Sequence, residues 1–382
     1  WPARLRSHGE QELVMKLARI DQFAPSVAAG DGVTNGLLFT RSLLRDLGYE
    51  SEIYSFSIPD QMVGQVLPAR TFHASRCDLL MYHHSMGHDH GPWLMLQQCP
   101  KALVYHNITP PEFFPERSGL RRYAELGLKQ LREWRTEFVH ALADSPLNQS
   151  ELELAGYERS KTLPLLVDTR RLEGPSSEPK FMADQPLGTR FYLAVGRLAE
   201  NKRQYLLIEA FYHLLQNQQQ DEQPPQRLII VGGTTSEAYA RGLQMHILKL
   251  GLQEQVLLVG KCSEPELRWL YKNAHQYWCA SAHEGFCMPL LEANYASLPV
   301  VTQARSNIPD TLGEGGLLLE NDDPVDFAMA SHFLNTEPGL RETLIAAGHR
   351  NLLRYERENL KQALVLWLAQ LEFLQPCDGV KS

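Results

Sequence analysis

His283-Glu284-Gly285-Phe286-Cys287-Met288-Pro289-Leu290-Leu291-Glu292 is the stretch from which the fold can be read. It follows an apolar run, Gln276 to Ala280, and leads into a helical pattern, so it is a strand-to-helix turn. A second apolar run, Leu298 to Thr302, lies beyond it. Before it come Phe191 to Val195, Arg227 to Val231 and Gln255 to Val259, each followed by helical periodicity. Short apolar strands alternating with helices are the pattern of βαβ units, and hence of a parallel sheet covered on both faces.

The same alternation fills the first half. Leu17 to Phe23 reads as a strand, Pro25 to Gly32 as a loop and Asn35 to Leu47 as a helix ending at Gly48. Further strands are expected at Ser51–Ser55, Leu79–His83 and Ala102–His106, with a long helix from Leu120 to Leu142. The apolar pattern stops near Leu163 to Asp168, and Thr169 to Thr189 is rich in Pro, Ser, Gly and charge, as linkers are. At 382 residues the chain exceeds the size at which one core keeps growing. Two α/β domains are therefore expected, residues 1–170 and 171–356, with the segment 357–382 and its helix Arg357–Leu374 placed to cross back onto the first.

Four groups of residues carry chemistry. Glu284 and Glu292 put one carboxylate in the turn and another along the helix, spaced to accept hydrogen bonds from the hydroxyls of one ligand. Acidic residues favoured by a helix dipole explain either glutamate alone equally well. In Val195-Gly196-Arg197-Leu198-Ala199-Glu200-Asn201-Lys202 the glycine permits close backbone approach, and two cations project from the turn, enough to neutralise a diphosphate. Taken alone, the segment reads more simply as solvated charge beside a βα turn. Gly30-Asp31-Gly32-Val33-Thr34-Asn35 precedes the first helix, where backbone N–H groups can meet a phosphate or a sugar. It is not G-x-G-x-x-G, which weakens a nicotinamide-dehydrogenase reading. His106 ends a parallel strand, where side chains point into the ligand crevice of α/β proteins. A hydrogen-bonded structural histidine is the plainer alternative.

A net charge of −8 and a pI near 6.0 exclude a protein built chiefly to hold the nucleic-acid backbone. The six cysteines (Cys77, Cys99, Cys262, Cys279, Cys287, Cys377) contain no C-x-x-C pair, so neither a zinc knuckle nor a disulfide framework is expected, and a reducing cytosol fits. No apolar run approaches the roughly 20 residues of a membrane span, and Trp1 to Glu12 does not read as a signal peptide. Because the chain opens on Trp1, a fragment or processed form is expected, with Met15 nearer the start of the folded region.

The Glu284–Glu292 spacing resembles the E-x7-E motif of family 4 glycosyltransferases, and the likeness continues through LPVVTQARSNIPDTLGEGGLLLE as a strand, phosphate loop and helix. The resemblance implies the GT-B fold, two Rossmann-like domains facing each other across a cleft, and a retaining hexosyl transfer from a nucleoside-diphosphate sugar. By it, Glu284 contacts the donor sugar and Glu292 the ribose. Arg197 and Lys202 bind the diphosphate, and Gly285 and Phe286 belong to the same donor turn. Gly260-Lys261 lies in the loop whose backbone meets the base. Gly32 and His106 close over the donor from the first domain, and catalysis is assigned to His106, Glu284, Arg197 and Lys202. No cofactor and no metal are implied. A UDP- or GDP-sugar is the expected donor, with a saccharide or lipid-linked saccharide as acceptor. Bacterial polysaccharide, lipopolysaccharide or glycoconjugate assembly is the setting the motifs suggest, in the cytoplasm.

Weaker features are read conservatively. His83, His84, His88, Asp89 and His90 are expected in a loop without metal-ligand spacing, and there is no D-x-D motif; Asp322-Asp323 reads as a surface turn. Arg117, Arg121, Arg122, Lys129, Arg132 and Arg135, interleaved with Leu120, Tyr123, Leu131, Trp134 and Phe138, would suit a peripheral contact with the inner face of a membrane. Glu125, Glu133 and Glu137 among them favour an ordinary solvated face. The rival functions are a nucleotide-sugar epimerase or phosphorylase of the same fold, and a sugar-nucleotide-binding module without catalysis. An epimerase would release a free sugar or its epimer with no acceptor present, a phosphorylase would need phosphate or a pyridoxal lysine, and turnover with any acceptor would dispose of the binding module.

Overall fold

The computed structural model describes residues 18–165, 167–168, 172–216 and 224–371. Leu17, Met15, Cys377, part of the expected linker (169–171), part of the Gln-rich loop (217–223) and the end of the last expected helix (372–374) lie outside them.

The first half runs β1 (Ile20–Phe23), α1 (Gly32–Asp46), β2 (Ile53–Ser55), β3 (Leu67–Pro68), β4 (Leu79–His84), α2 (Gly91–Met95), β5 (Lys101–Tyr105), α3 (Gly119–Glu133), β6 (His140–Ala143), α4 (Pro146–Leu154) and β7 (Ser160–Thr162). The second runs α5 (Lys180–Ala183), β8 (Arg190–Val195), α6 (Gln204–Gln216), β9 (Gln226–Val231), α7 (Glu237–Lys249), β10 (Val256–Gly260), α8 (Glu264–Asn273), β11 (Gln276–Cys279), α9 (Met288–Tyr295), β12 (Val300–Gln303), α10 (Ile308–Leu312) and β13 (Gly316–Leu319). Helices α11 (Pro324–Thr336), α12 (Pro338–Leu352) and α13 (Arg357–Leu368) follow.

Both sheets are wholly parallel, in the orders β3-β2-β1-β4-β5-β6-β7 and β10-β9-β8-β11-β12-β13. In the second sheet the order reverses between β8 and β11. A ligand crevice opens at such a switch point, outside the carboxyl ends of the strands. Each sheet buries apolar side chains on both faces. In the first domain Ile20, Met81 and Val104 pack on one side, and Phe23, Tyr82 and Leu103 on the other. Tyr192 and Ile230, against Leu193 and Ile229, do the same in the second.

Local chemistry sets the ends of these elements. Asp31 caps α1 by accepting from the Thr34 N–H at 3.1 Å, which starts the helix at Gly32 rather than Asn35. A full capping box, Ser263 with Glu266, starts α8.

Three expectations are corrected. The helix expected over Leu120–Leu142 ends at Glu133; a 3-10 turn (Arg135–Glu137) follows, and His140–Ala143 is strand β6, buried throughout between β5 and β7. A short apolar run after a helix does not show by periodicity where the helix stops. Strands β7 and β13 were not expected; both are short edge strands, and β13 lies inside the stretch read as phosphate loop and helix. Strand β4 runs one residue past its expected end at His83, so His84 closes it instead of lying in a loop.

Helix α13 packs on the first domain's core. Leu360, Leu364, Trp367 and Leu368 join Ile20, Leu43 and Val104, and the Trp367 indole N–H donates to His140 Nδ1 at 2.9 Å.

Candidate functional site

The carboxyl ends of β8, β9 and β10 converge on glycines. Gly232 N–H donates to Gly260 O at 2.7 Å, and a Cβ on Gly232 would stand 2.0 Å from Gly196 O. Side chains are therefore excluded there, and the backbones of three loops close up beside the switch point. Gly260 itself takes φ 68°, in the left-handed region. Lys261 runs past Gly233, where an added Cβ would meet its Cε at 3.0 Å. Arg197 is exposed at the end of β8 and forms no ion pair among the described residues.

Lys202 sits in the 3-10 turn Glu200–Lys202 and forms an ion pair with Glu284 Oε1. The two side chains are only 17% and 11% exposed. Burial works against both charges, yet each partner outweighs it: the Lys202 ammonium is raised above its ordinary value, and the Glu284 carboxyl is lowered below its own. The Glu284 turn is clasped from two sides. Ser306 Oγ donates to Glu284 O at 2.8 Å and accepts from its N–H at 3.2 Å, while Asn201 O accepts from Ala282 N–H at 2.8 Å. Two residues on α9 complete the second-domain face. Glu292 accepts from the Tyr271 hydroxyl at 2.7 Å, and Met288, in the first turn, brings its Cε to 3.3 Å from where a Gly32 Cβ would stand. The starts of α1 and α9, the positive ends of two helix dipoles, thus meet across the domains.

Gly285 and Phe286 take places the sequence did not suggest. A Cβ on Gly285 would lie 2.4 Å from Asn107 Cβ and 3.2 Å from His106 O, so the glycine admits the first domain's β5 loop. Phe286 is buried and edge-on to Tyr355, with ring centroids 5.6 Å apart. Its ring anchors the turn instead of lining a crevice. His283 Nε2 meets Asn107 Oδ1 at 2.6 Å, and Asn107 donates to Asn148 Oδ1 and Glu151 Oε2, each at 3.0 Å. Asn107 holds φ 71°, a conformation asparagine tolerates better than most residues.

His106 departs most from expectation. Its side chain is 1% exposed, with Nδ1 at 2.7 Å from Asp144 Oδ2 and Nε2 at 2.7 Å from His83 Nδ1. Both ring nitrogens are thus engaged inside the first domain, and the ring does not point into the crevice. His83 Nε2 and Asp144 Oδ1 are buried without partners among the described residues. Burial and the neighbouring His106 keep His83 well below its ordinary pKa, and burial raises Asp144.

Asn107, Asp144 and Gly232 are additions, as are Ser306, Asn201 and His83, which lie inside stretches read for other reasons and were not singled out as site residues. The weaker features are quieter. Tyr82 OH bridges His84 Nδ1 (2.6 Å) and His88 Nε2 (2.8 Å) in the core. Asp322 pairs with Arg203 and Arg305, and Asp323 caps α11. On α3, Arg121 and Lys129 pair with Glu125 and Glu133. No helix among the described residues is long and apolar enough to cross a membrane.

Comparison with known proteins adds independent findings. The O-antigen chain mannosyltransferase RfbU of Salmonella typhimurium is 31% identical over 132 residues, 35% of this chain and 36% of that protein. The D-inositol 3-phosphate glycosyltransferase of Thermomonospora curvata is 28% identical over 183 residues, 47% of this chain and 42% of that protein. The matched segments thus span about two-fifths of those relatives. Among solved structures, HepE of Anabaena in complex with UDP and glucose has a TM-score of 0.72 at 17% identity, covering 92% of this chain and all of that one. WaaG, a glycosyltransferase involved in lipopolysaccharide biosynthesis, has a TM-score of 0.64 at 13% identity over 90% of this chain and 98% of that one. The fold is accordingly GT-B, two Rossmann-like domains facing each other across a cleft. Residues 178–351, nearly all of the second domain and every one of its candidate site residues, match the family described as glycosyl transferases group 1.

Proposed function

We propose that the protein is a retaining glycosyltransferase that moves a hexosyl group from a nucleoside-diphosphate sugar to an acceptor hydroxyl. The observation that carries the reading is the buried Lys202–Glu284 pair at the β8/β11 switch point, with Arg197 exposed beside it and Glu292 on the next helix. An ammonium has three N–H donors. One is spent on Glu284, which leaves two for the diphosphate, and Arg197 adds a guanidinium fork. The two cations neutralise the leaving group without a metal ion. Glu284 holds Lys202 with one oxygen and has lone pairs left for a sugar hydroxyl; Glu292 takes the ribose, and the Gly260–Lys261 backbone meets the base.

The site residues include no placed covalent nucleophile, and the leaving diphosphate accepts the acceptor's proton on the face it departs from. His106 then acts by position. Asp144 and His83 fix its ring, and its carbonyl lies against Gly285, so it sets the distance between the domains and does not touch the sugar. A UDP-sugar is the first donor to test, since HepE was solved with UDP and glucose. A saccharide or lipid-linked saccharide acceptor, in bacterial polysaccharide or lipopolysaccharide assembly, follows from the O-antigen and lipopolysaccharide relatives.

The test is thermal stabilisation by UDP-, GDP-, ADP- and dTDP-sugars, since a ligand at 100 times its Kd adds about 2.7 kcal/mol to the native state. Stabilisation by one nucleotide class, lost in Arg197→Ala and Glu292→Ala, is the expected result. Folded protein that responds to none of the four overturns the proposal.

A further inference from the structure

Two of the six cysteines become neighbours in the fold at one chemically loaded place. Cys279 ends β11, and Cys287, eight residues later, is the residue before α9. Cys287 holds φ 73°, ψ 64°, left-handed values that a residue with a side chain adopts at a cost of about 1 kcal/mol or more. That backbone brings its thiol up to that of Cys279. Both sulfurs and a carboxylate oxygen of Glu284 lie within 4.8 Å of one another. In tetrahedral zinc coordination, with Zn–S bonds near 2.3 Å and Zn–O bonds near 2.1 Å, ligand atoms stand roughly 3.5–3.8 Å apart. The three ligands therefore need to contract by at most about 1 Å, a change of side-chain torsion.

Charge favours the same occupant. Two thiolates, the Glu284 carboxylate and the Lys202 ammonium sum to −2, which one divalent cation cancels. Thiolates select soft ions, and zinc in preference to magnesium or calcium. We propose that Cys279, Cys287 and Glu284 form a site for a soft divalent cation, and that filling it draws Glu284 from Lys202 and shuts the donor site. Two S–H bonds break, two metal–sulfur bonds form, and two protons pass to solvent. The uptake stands apart from the proposed transferase activity; only the loss of turnover rests on that reading.

The probe is the reduced full chain titrated with Zn²⁺, and with Co²⁺, whose thiolate-to-metal absorption reports sulfur ligation. One metal per chain with two protons released is expected. In Cys279→Ser and Cys287→Ser the absorption should halve and affinity fall at least tenfold, with Cys279→Ala and melting curves confirming that the variants fold. Cys77→Ser should change nothing, although among the described residues Cys77 and Cys99 also lie together. Failure of stoichiometric uptake, affinity and absorption undiminished in folded Cys279→Ser, or loss of the absorption in Cys77→Ser overturns the site. Zinc should also abolish donor turnover in the parent chain, reversibly with a chelator, but not in Cys279→Ser. Full turnover at saturating zinc overturns the coupling to Glu284.

Discussion

Replacing Glu284 with Gln keeps the shape of the side chain and removes its charge, leaving the Lys202 ammonium in a site where its side chain is 17% exposed. Breaking a buried pair by removing one partner costs about 3–5 kcal/mol, most of it the penalty of an uncompensated charge. Residual solvent contact here places the cost at the low end, about 3 kcal/mol. For a domain of this size each kcal/mol moves the melting temperature by roughly 2–4 °C, so Glu284→Gln should melt about 6–12 °C below the parent near neutral pH. Lys202→Met should cost a similar amount at pH 8 but less at pH 5, because the orphaned carboxyl can take up a proton. In the double variant neither charge remains, and at least half the loss should return. The parent curve follows from the two shifts. Glu284, lowered from 4.5, contributes stability above that pH and loses it as pH falls through the folded value; Lys202, raised from 10.5, contributes below that pH and loses it as pH rises through its own. Single variants that each cost under about 1 kcal/mol and add to within about 0.5 kcal/mol in the double variant would refute a coupled buried pair.

Other consequences follow from particular contacts. Gly285→Ala drives a Cβ to 2.4 Å from Asn107 Cβ and should lower turnover at least tenfold while leaving nucleotide affinity within about threefold; an equal loss in both would place the defect inside the second domain. Trp367→Ala removes a fully buried indole and its bond to His140, with an expected cost of about 3–5 kcal/mol and faster proteolysis after Tyr355; a cost under about 1 kcal/mol would mean that α13 is not anchored there. Burial lowers His84 to about 4 and His88 to about 3, so the unfolded chain binds protons the native one refuses. Stability should therefore fall as pH drops below 6.5, by about 2 kcal/mol at pH 5 for each of the two, and urea midpoints that stay level between pH 7 and 5 would contradict that.

The parallel architecture was legible because a buried strand leaves a continuous apolar run, as Phe191 to Val195 does. What stayed hidden were the ends. The Phe138 to Ala143 run carries no turn signal between Glu133 and the strand, so helix and strand merged into one reading. Polar β7, three residues at a sheet edge, gave no periodicity at all. At the site, Glu284, Glu292, Arg197 and Lys202 were visible because their chemistry resides in charged side chains. Gly232 and Gly285 were not read as close-approach positions, since a glycine does not name the backbone it lies against. Asn107 and His283 are 176 residues apart, and pairing over that distance leaves no local trace.

The geometry divides the labour of the proposed reaction unequally between the domains. Lys202 and Ser306 hold Glu284, and Asn201 holds the Ala282–His283 backbone just before it, all within the second domain, so that half of the site is set before any donor arrives. Arg197 is the exception, exposed and without an ion pair among the described residues, and must lose solvent and side-chain freedom when a diphosphate binds. The first domain offers Gly32 at a helix start and the His106–Asn107 corner, both already in contact with the α9 turn. Its ionisable groups there, His106 and Asp144, are spent on each other and on His83. Because His106 is held within its own domain, separation of the two halves breaks mainly His283–Asn107, the packing at Gly285 and the apolar contacts of Phe286 and Leu291 with the first-domain core. Opening to admit substrates therefore asks for rupture of that seam, while the Lys202–Glu284 pair stays intact on one side of it.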